Sequence, residues 1–207
     1  MFYDEDLVIE LRLNILNEYV HKFVIVESKF THSGKKRELL FDINKYSKFK
    51  NKINYIVLEN EPVDLERVHD NDTDDKKNSK YIMNALKREN FQRNGIKKGL
   101  TNAKPDDLIL VSDVDEIPNL LNLDINEIND NIILFKQNFY YYKFNLKLED
   151  MPWLGTKVCK YKNFKSPQWL RNIKDKKYPF WRLDSLFSKT KYQNIYFIEN
   201  GGWHFSY

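Results

Sequence analysis

Apolar residues fall along this chain in short blocks, and the spacing inside each block predicts its element. Between Asp4 and Val20, the residues Leu7, Val8, Leu11, Ile15 and Tyr19 recur at helical spacing and predict an amphipathic helix. Phe23–Val26 is apolar at every position and ends in Glu27-Ser28. A run without a polar face suits a parallel strand covered on both sides. Ile53–Leu58 is a second strand candidate, Leu108–Val111 is again a continuous apolar run, and Ile132–Phe135, Lys157–Tyr161 and Ile195–Ile198 predict further strands. Ser79–Leu100 predicts the main helix, with Ile82, Leu86, Ile96 and Leu100 on one core-facing stripe. Thr31–Arg37 is polar around Gly34 and predicts a loop, and Pro62–Asn78 has few apolar anchors and predicts a mobile surface loop. Helix and strand alternate first, and a strand-rich, aromatic half follows. That order predicts an α/β fold with a parallel sheet and a mixed extension.

Composition narrows the class. The 207 residues, 42% hydrophobic and 15% aromatic, exclude a disordered chain and suit one domain. Cys159 is the lone cysteine, which excludes an internal disulfide framework and a cysteine-only zinc site. No apolar run approaches the roughly 18 residues of a membrane-spanning helix. The acidic start, Asp4-Glu5-Asp6, is unlike a secretory leader. Together these features predict a soluble protein of a reducing compartment. The net charge of +4 is far below the dense basic stripe of a nucleic-acid binder.

The candidate chemistry follows the strand Leu108–Val111. Ser112-Asp113-Val114-Asp115-Glu116-Ile117-Pro118 places three carboxylates within four positions at the carboxyl end of an apolar strand, where open α/β sheets bind ligands. If the chain stays extended, Asp113 and Asp115 point to the same side. Two hard oxygen donors suit Mg²⁺ or Mn²⁺, with phosphates and water completing the shell. A solvated turn ending at Pro118 is the plainer account of the same residues. His204, in Asn200-Gly201-Gly202-Trp203-His204-Phe205, is either a satisfied core histidine or a nitrogen ligand to the same metal. Glu89 and Arg93 form an i,i+4 pair in line with the apolar stripe. Burying charge is costly unless it is paired or serves a ligand, so this is either a structural pair or a cation emerging at an anion site. The acidic run Asp70–Asp75 lacks the central glycine of a calcium loop.

Six blocks in order resemble glycosyltransferase family 17, the β-1,4-mannosyl-glycoprotein 4-β-N-acetylglucosaminyltransferase family. They are Glu10-Leu11-Arg12-Leu13-Asn14; Phe23–Ser28 with Thr31–Lys35; Arg88–Asn94; Ser112–Pro118; Tyr140-Tyr141-Tyr142 with Pro152–Thr156; and Gly201–Ser206. The resemblance implies a GT-A-type fold with a mostly parallel central sheet flanked by helices. Residues 1–118 would form the nucleotide-sugar-binding half and 119–207 the acceptor-side half of a single domain. The fold would be shortened at both ends, since members carry a strand before the segment matching Phe2 and a helical region beyond Ser206.

The resemblance also implies an inverting transfer of N-acetylglucosamine from UDP-N-acetylglucosamine to a hydroxyl of a glycan acceptor, assisted by Mn²⁺ or Mg²⁺. Asp113, Asp115 and His204 look like the metal set, and Glu27, Arg93, Ser112 and Asp113 look like the donor contacts. Asp184 and Glu116 are the two candidate general bases. Tyr140, Tyr141, Tyr142 and Trp153 offer stacking surfaces for sugar rings, or core packing. A cytoplasmic role on a bacterial- or viral-type glycan is expected. A non-catalytic nucleotide-sugar or glycan binder is the competing class. A metal-dependent phosphotransferase or nuclease needs more basic surface and leaves five of the six blocks unexplained.

Overall fold

A computed structural model of the chain describes residues 1–121, 123, 128, 131–175, 188, 190–191 and 193–206. The elements in order are α1 (Asp6–Leu16), β1 (Phe23–Ser28), β2 (Ile53–Leu58), α2 (Asp74–Asn94), β3 (Leu108–Val111), β4 (Glu116–Pro118), β5 (Ile132–Phe135), β6 (Gln137–Tyr141), β7 (Lys147–Trp153), β8 (Lys157–Lys160), α3 (Pro167–Arg171), β9 (Ile195–Ile198) and β10 (Gly202–Ser206). They form two compact units. One comprises Met1–Asp6 with His21–Thr101, the other Leu7–Val20 with Asn102–Tyr207.

In the first unit β1 and β2 pair in parallel, Phe23 opposite Ile53 through Ser28 opposite Leu58. Glu27 near the end of β1 is fully buried. Its carboxylate accepts hydrogen bonds from Arg37 Nη2 (2.9 Å), the backbone N–H groups of Leu40 (2.8 Å) and Phe41 (3.1 Å), and Tyr55 Oη (2.6 Å). One carboxylate thereby ties the Arg37–Phe41 segment to both strands, and burial with that bond pushes the Tyr55 hydroxyl pKa up.

Helix α2 starts five residues earlier than Ser79. Thr73 caps it by accepting from the Lys76 N–H, and Asp74 and Asp75 occupy the first turn. Acids there are favoured by the helix dipole, so the acidic run is partly a helix start. The first half of its apolar stripe is not the core face: Ile82 and Leu86 are 62% and 45% exposed, while Asn84 and Gln92 off the stripe are buried, as are Arg93 in line with it and Ile96 beyond the helix. The reason is the partner, a polar loop. The Asn84 amide accepts from the Glu66 N–H and donates to the Glu66 carbonyl, both at 2.8 Å. Lys87 donates to the Asp64 carbonyl and Arg88 pairs with Glu61. The segment predicted as a mobile loop is thus fastened along the helix.

The second unit holds two four-stranded sheets, in the orders β4-β10-β6-β7 and β3-β8-β5-β9. The pairs β10–β6 and β5–β9 are parallel, and β10–β4, β3–β8, β5–β8 and β6–β7 are antiparallel. This corrects the GT-A-type expectation of a mostly parallel central sheet flanked by helices: the sheets are mixed and antiparallel, and the helices are few. Connection length explains it. Parallel neighbours need a crossover of a dozen or more residues, which separates β1 from β2. Only five residues (142–146) join the antiparallel neighbours β6 and β7, and the short links from β5 to β6 and from β7 to β8 pass the chain from one sheet to the other. In α1 the buried residues are Val8, Ile9, Leu13 and Leu16, whereas Leu7 and Tyr19 are exposed.

Glu27→Gln is expected to destabilise the protein by about 2–4 kcal/mol, because it leaves the part-buried Arg37 without its counter-charge and turns an amide NH₂ toward N–H donors in a fully buried position. Urea unfolding followed by circular dichroism measures it, and a loss below about 0.5 kcal/mol would contradict the role given to the carboxylate.

Candidate active site

The acidic motif lies in the second unit, between β3 and β4. Its three carboxylates have three environments. Glu116 is fully buried. Arg171, the last residue of α3, grips it with Nη1 to Oε2 at 2.8 Å and Nη2 to Oε1 at 2.5 Å. Trp153 Nε1 donates to Oε1 (2.7 Å), and the Asp113 N–H donates to Oε2 (2.9 Å). Gly155 makes this approach feasible, since a Cβ there would lie 2.3 Å from the Glu116 carboxyl carbon. Arg171 also donates to the Gly155 carbonyl.

Asp113 shares the same arginine, with Arg171 Nη2 3.0 Å from Oδ2. Asp115 has a different partner: its Oδ2 lies 3.4 Å from His204 Nε2. The two aspartates that extended alternation would aim together are therefore drawn to different groups. Both side chains keep more than a quarter of their surface exposed. Ser112 Oγ accepts from Arg12 Nη2 at 2.5 Å, and Arg12 Nη1 donates to the carbonyls of Asp113 (3.2 Å) and Glu116. Two guanidinium groups thus fix the turn, one by its backbone and one by its carboxylates. The carboxylates around Arg171 raise its pKa against the opposing effect of its burial.

Strand pairing places His204. In β10 it lies opposite Glu116 of β4 and Phe139 of β6, and the Phe205 N–H donates to the Asp115 carbonyl at 3.0 Å. Trp153 stacks on the imidazole with centroids 4.4 Å apart, and Phe139 lies 4.8 Å away on a tilt. Gly202 opens the strand at φ +116°, a conformation glycine alone adopts readily, against the Ile117 carbonyl. His204 Nδ1 is buried with no hydrogen-bond partner among the described residues.

Glu27 and Arg93 belong to the first unit. Both oxygens of Glu27 are committed to protein donors, and Arg93 Nη2 holds Glu89 at 2.8 Å. Asp184 lies outside the described residues. Arg12 and Arg171 are the functional residues that motif reading missed. Arg12 had a signal, a cation inside an apolar helix; Arg171 had none.

Among the described residues no group of three or more His, Cys, Asp or Glu side chains is placed to hold a metal ion. Asp115 and His204 form a two-donor pair, hard oxygen with imidazole nitrogen. That set is compatible with Mn²⁺ or Mg²⁺ when phosphate oxygens and water supply the other ligands.

The model of glycosyltransferase family 17 matches residues 1–175. The chain belongs to glycosyltransferase family 17. Neither the curated proteins nor the solved structures yield a match to it. Membership of family 17 gives the protein a glycosyltransferase role, and with it a sugar donor and a sugar acceptor. No helix among the described residues is long and apolar enough to cross a membrane. In this family-17 protein the motif divides into a sealed carboxylate, Glu116, and two part-exposed ones, Asp113 and Asp115.

Two outcomes test the site's electrostatics. Arg171→Met is expected to cost about 3–5 kcal/mol, because it strands the buried Glu116 charge; a thermal midpoint equal to the wild type would contradict the clamp. Lys157, buried on the carbonyls of Arg171 and Ile173, has its pKa pushed down to about 8 by burial and then by the charge of Arg171. Between about pH 8 and the ordinary lysine value of 10.5, the unfolded chain binds the proton that the folded chain has shed. Stability attributable to Lys157 therefore rises with pH across that window. The difference in urea midpoint between wild type and Lys157→Met should increase from pH 7.5 to 10, and a flat difference would remove the inference.

Proposed function

We propose that this family-17 protein transfers N-acetylglucosamine from UDP-N-acetylglucosamine to a hydroxyl of a glycan acceptor, with inversion and with help from a divalent cation. The observation that carries the proposal is the Asp115–His204 pair, 3.4 Å apart and brought together by β10 from positions 89 residues apart in the chain.

Asp115 and His204 would hold the cation, Mn²⁺ or Mg²⁺. Bound there, it supplies Lewis-acid neutralisation of the charge that develops on the departing nucleotide diphosphate. Trp153 holds the imidazole plane by stacking on it, and the Glu116 carboxylate holds Trp153 through its indole N–H. Asp113 presents one part-exposed carboxylate in the same turn, ion-paired with Arg171. Arg171 also sets the local balance of charge. Against the three acids of the motif stand two guanidinium groups, which lowers the repulsion a diphosphate would meet. The acceptor hydroxyl gives its proton to a carboxylate. Glu116 is sealed behind Arg171 and Trp153, which leaves Asp184 as the candidate base from the sequence.

Asp115→Ala and His204→Ala should each reduce Mn²⁺-stimulated release of UDP from UDP-N-acetylglucosamine at least about a hundredfold, with unchanged far-ultraviolet circular dichroism. Retention of full activity by the folded Asp115→Ala protein would defeat the metal role. Metal-dependent UDP-sugar binding without release or transfer in the wild type would favour the non-catalytic binder.

A further inference from the structure

We infer that one face of the β4-β10-β6-β7 sheet is the platform on which the acceptor saccharide lies, with Phe139, Tyr141 and Trp153 as its ring-stacking side chains. This rests on the proposed transfer and names where its second substrate sits.

The register builds the platform. Residues directly opposite one another across paired strands point to the same face. Glu116, His204, Phe139 and Leu148 are such partners, one from each strand, and form a row across the sheet. Exposure climbs along that row from Glu116 (fully buried) through His204 (6%) and half-buried Phe139 to exposed Leu148 (38%). Charged chemistry lies at one end and an open apolar edge at the other.

A bulge widens the edge. Gln137 pairs with Trp153, but Phe139 pairs with Leu148, so β7 carries three extra residues against β6. Five positions separate Leu148 from Trp153, and a regular strand would turn them to opposite faces. The odd insertion returns both to the face of Phe139, and re-aiming a side chain is a recurrent use of bulges. The ring contacts agree: Phe139 meets Trp153 at 5.7 Å and Tyr141 at 6.5 Å. Tyr140 turns the other way, onto Phe205. The structure thus separates the aromatic cluster of the sequence into an outward set and a packing set.

A saccharide is the occupant that this continuity selects. A chain of ring contacts runs from exposed Tyr141 (53%) through half-buried Phe139 to Trp153 (37% exposed), and beneath Trp153 to buried His204 and so to Asp115. A sugar ring offers an apolar C–H face for an aromatic plane and a rim of hydroxyls for polar groups, such as half-buried Ser206 opposite Tyr141. The rings open to solvent span two steps, from Trp153 to Phe139 (5.7 Å) and from Phe139 to Tyr141 (6.5 Å), more than about one sugar ring covers, so the acceptor is an oligosaccharide rather than a monosaccharide.

The test uses the full chain and its variants Tyr141→Ala and Leu148→Ser, both at exposed positions outside the Asp115–His204 pair. Immobilised mono- to tetrasaccharides of N-acetylglucosamine and of mannose are the binding probes, and the same saccharides serve as acceptors in the transfer assay. Wild type should prefer di- and longer saccharides. Tyr141→Ala should raise the acceptor KM about fivefold or more while leaving the KM for UDP-N-acetylglucosamine unchanged. Unchanged acceptor KM and saccharide binding in both folded variants would overturn the platform. So would a concentration-dependent dimer of the wild type that either variant abolishes, because the face would then be a contact between copies. If the wild type transfers nothing, the transfer reading fails by itself. Saccharide binding lost in Tyr141→Ala would still support the platform, and no saccharide binding by the wild type would overturn it.

Discussion

The second unit depends on where one five-residue strand is inserted. β10 sits between β4 and β6, antiparallel to one and parallel to the other. That placement carries His204 to the acidic turn and aligns it with Phe139. It also satisfies the backbone on both edges of the strand, so the histidine is held by ladder hydrogen bonds rather than by a loop. Sites on such elements are more precise than sites on loops. Gly202 is the entry condition: its positive φ lets the chain enter the ladder against the Ile117 carbonyl.

Charge is divided just as sharply. Three neighbouring carboxylates would repel one another in a partly buried turn. Arg171 removes most of that cost by binding one of them bidentately and another end-on, and Arg12 binds the turn's backbone. Glu116 thereby becomes a support, and it orients Trp153, which in turn stacks on His204. In the proposed transfer the cation is left to Asp115 and His204. The first unit repeats the device with Glu27, whose carboxylate organises a loop through four donors.

The strands Ile53–Leu58, Leu108–Val111, Ile132–Phe135 and Ile195–Ile198 were legible as short, mostly apolar runs, although of the four only Ile132–Phe135 is buried at every position. Strands β4, β6, β7 and β10 were not: they mix aromatic, charged and glycine residues, and their strand character comes from cross-strand packing. The same omission hid the architecture, since the alternation of helix and strand seen early in the chain does not continue past β3. The stripe on α2 was misread because its partner is a polar loop, which buries Asn84 and leaves Ile82 outward. The acidic motif was legible as a cluster of carboxylates following β3. Its internal division was not, because Arg171 reaches Asp113 and Glu116 from 58 and 55 residues away.

The most direct test of the Asp115–His204 pair as a cation seat is proton NMR of the imidazoles of His21, His32, His69 and His204 during titration with Mn²⁺ in the presence of UDP. The account predicts selective paramagnetic broadening of one imidazole, absent from the spectrum of His204→Ala and lost in Asp115→Ala. Broadening that spares His204, or that persists unchanged in Asp115→Ala, would contradict it.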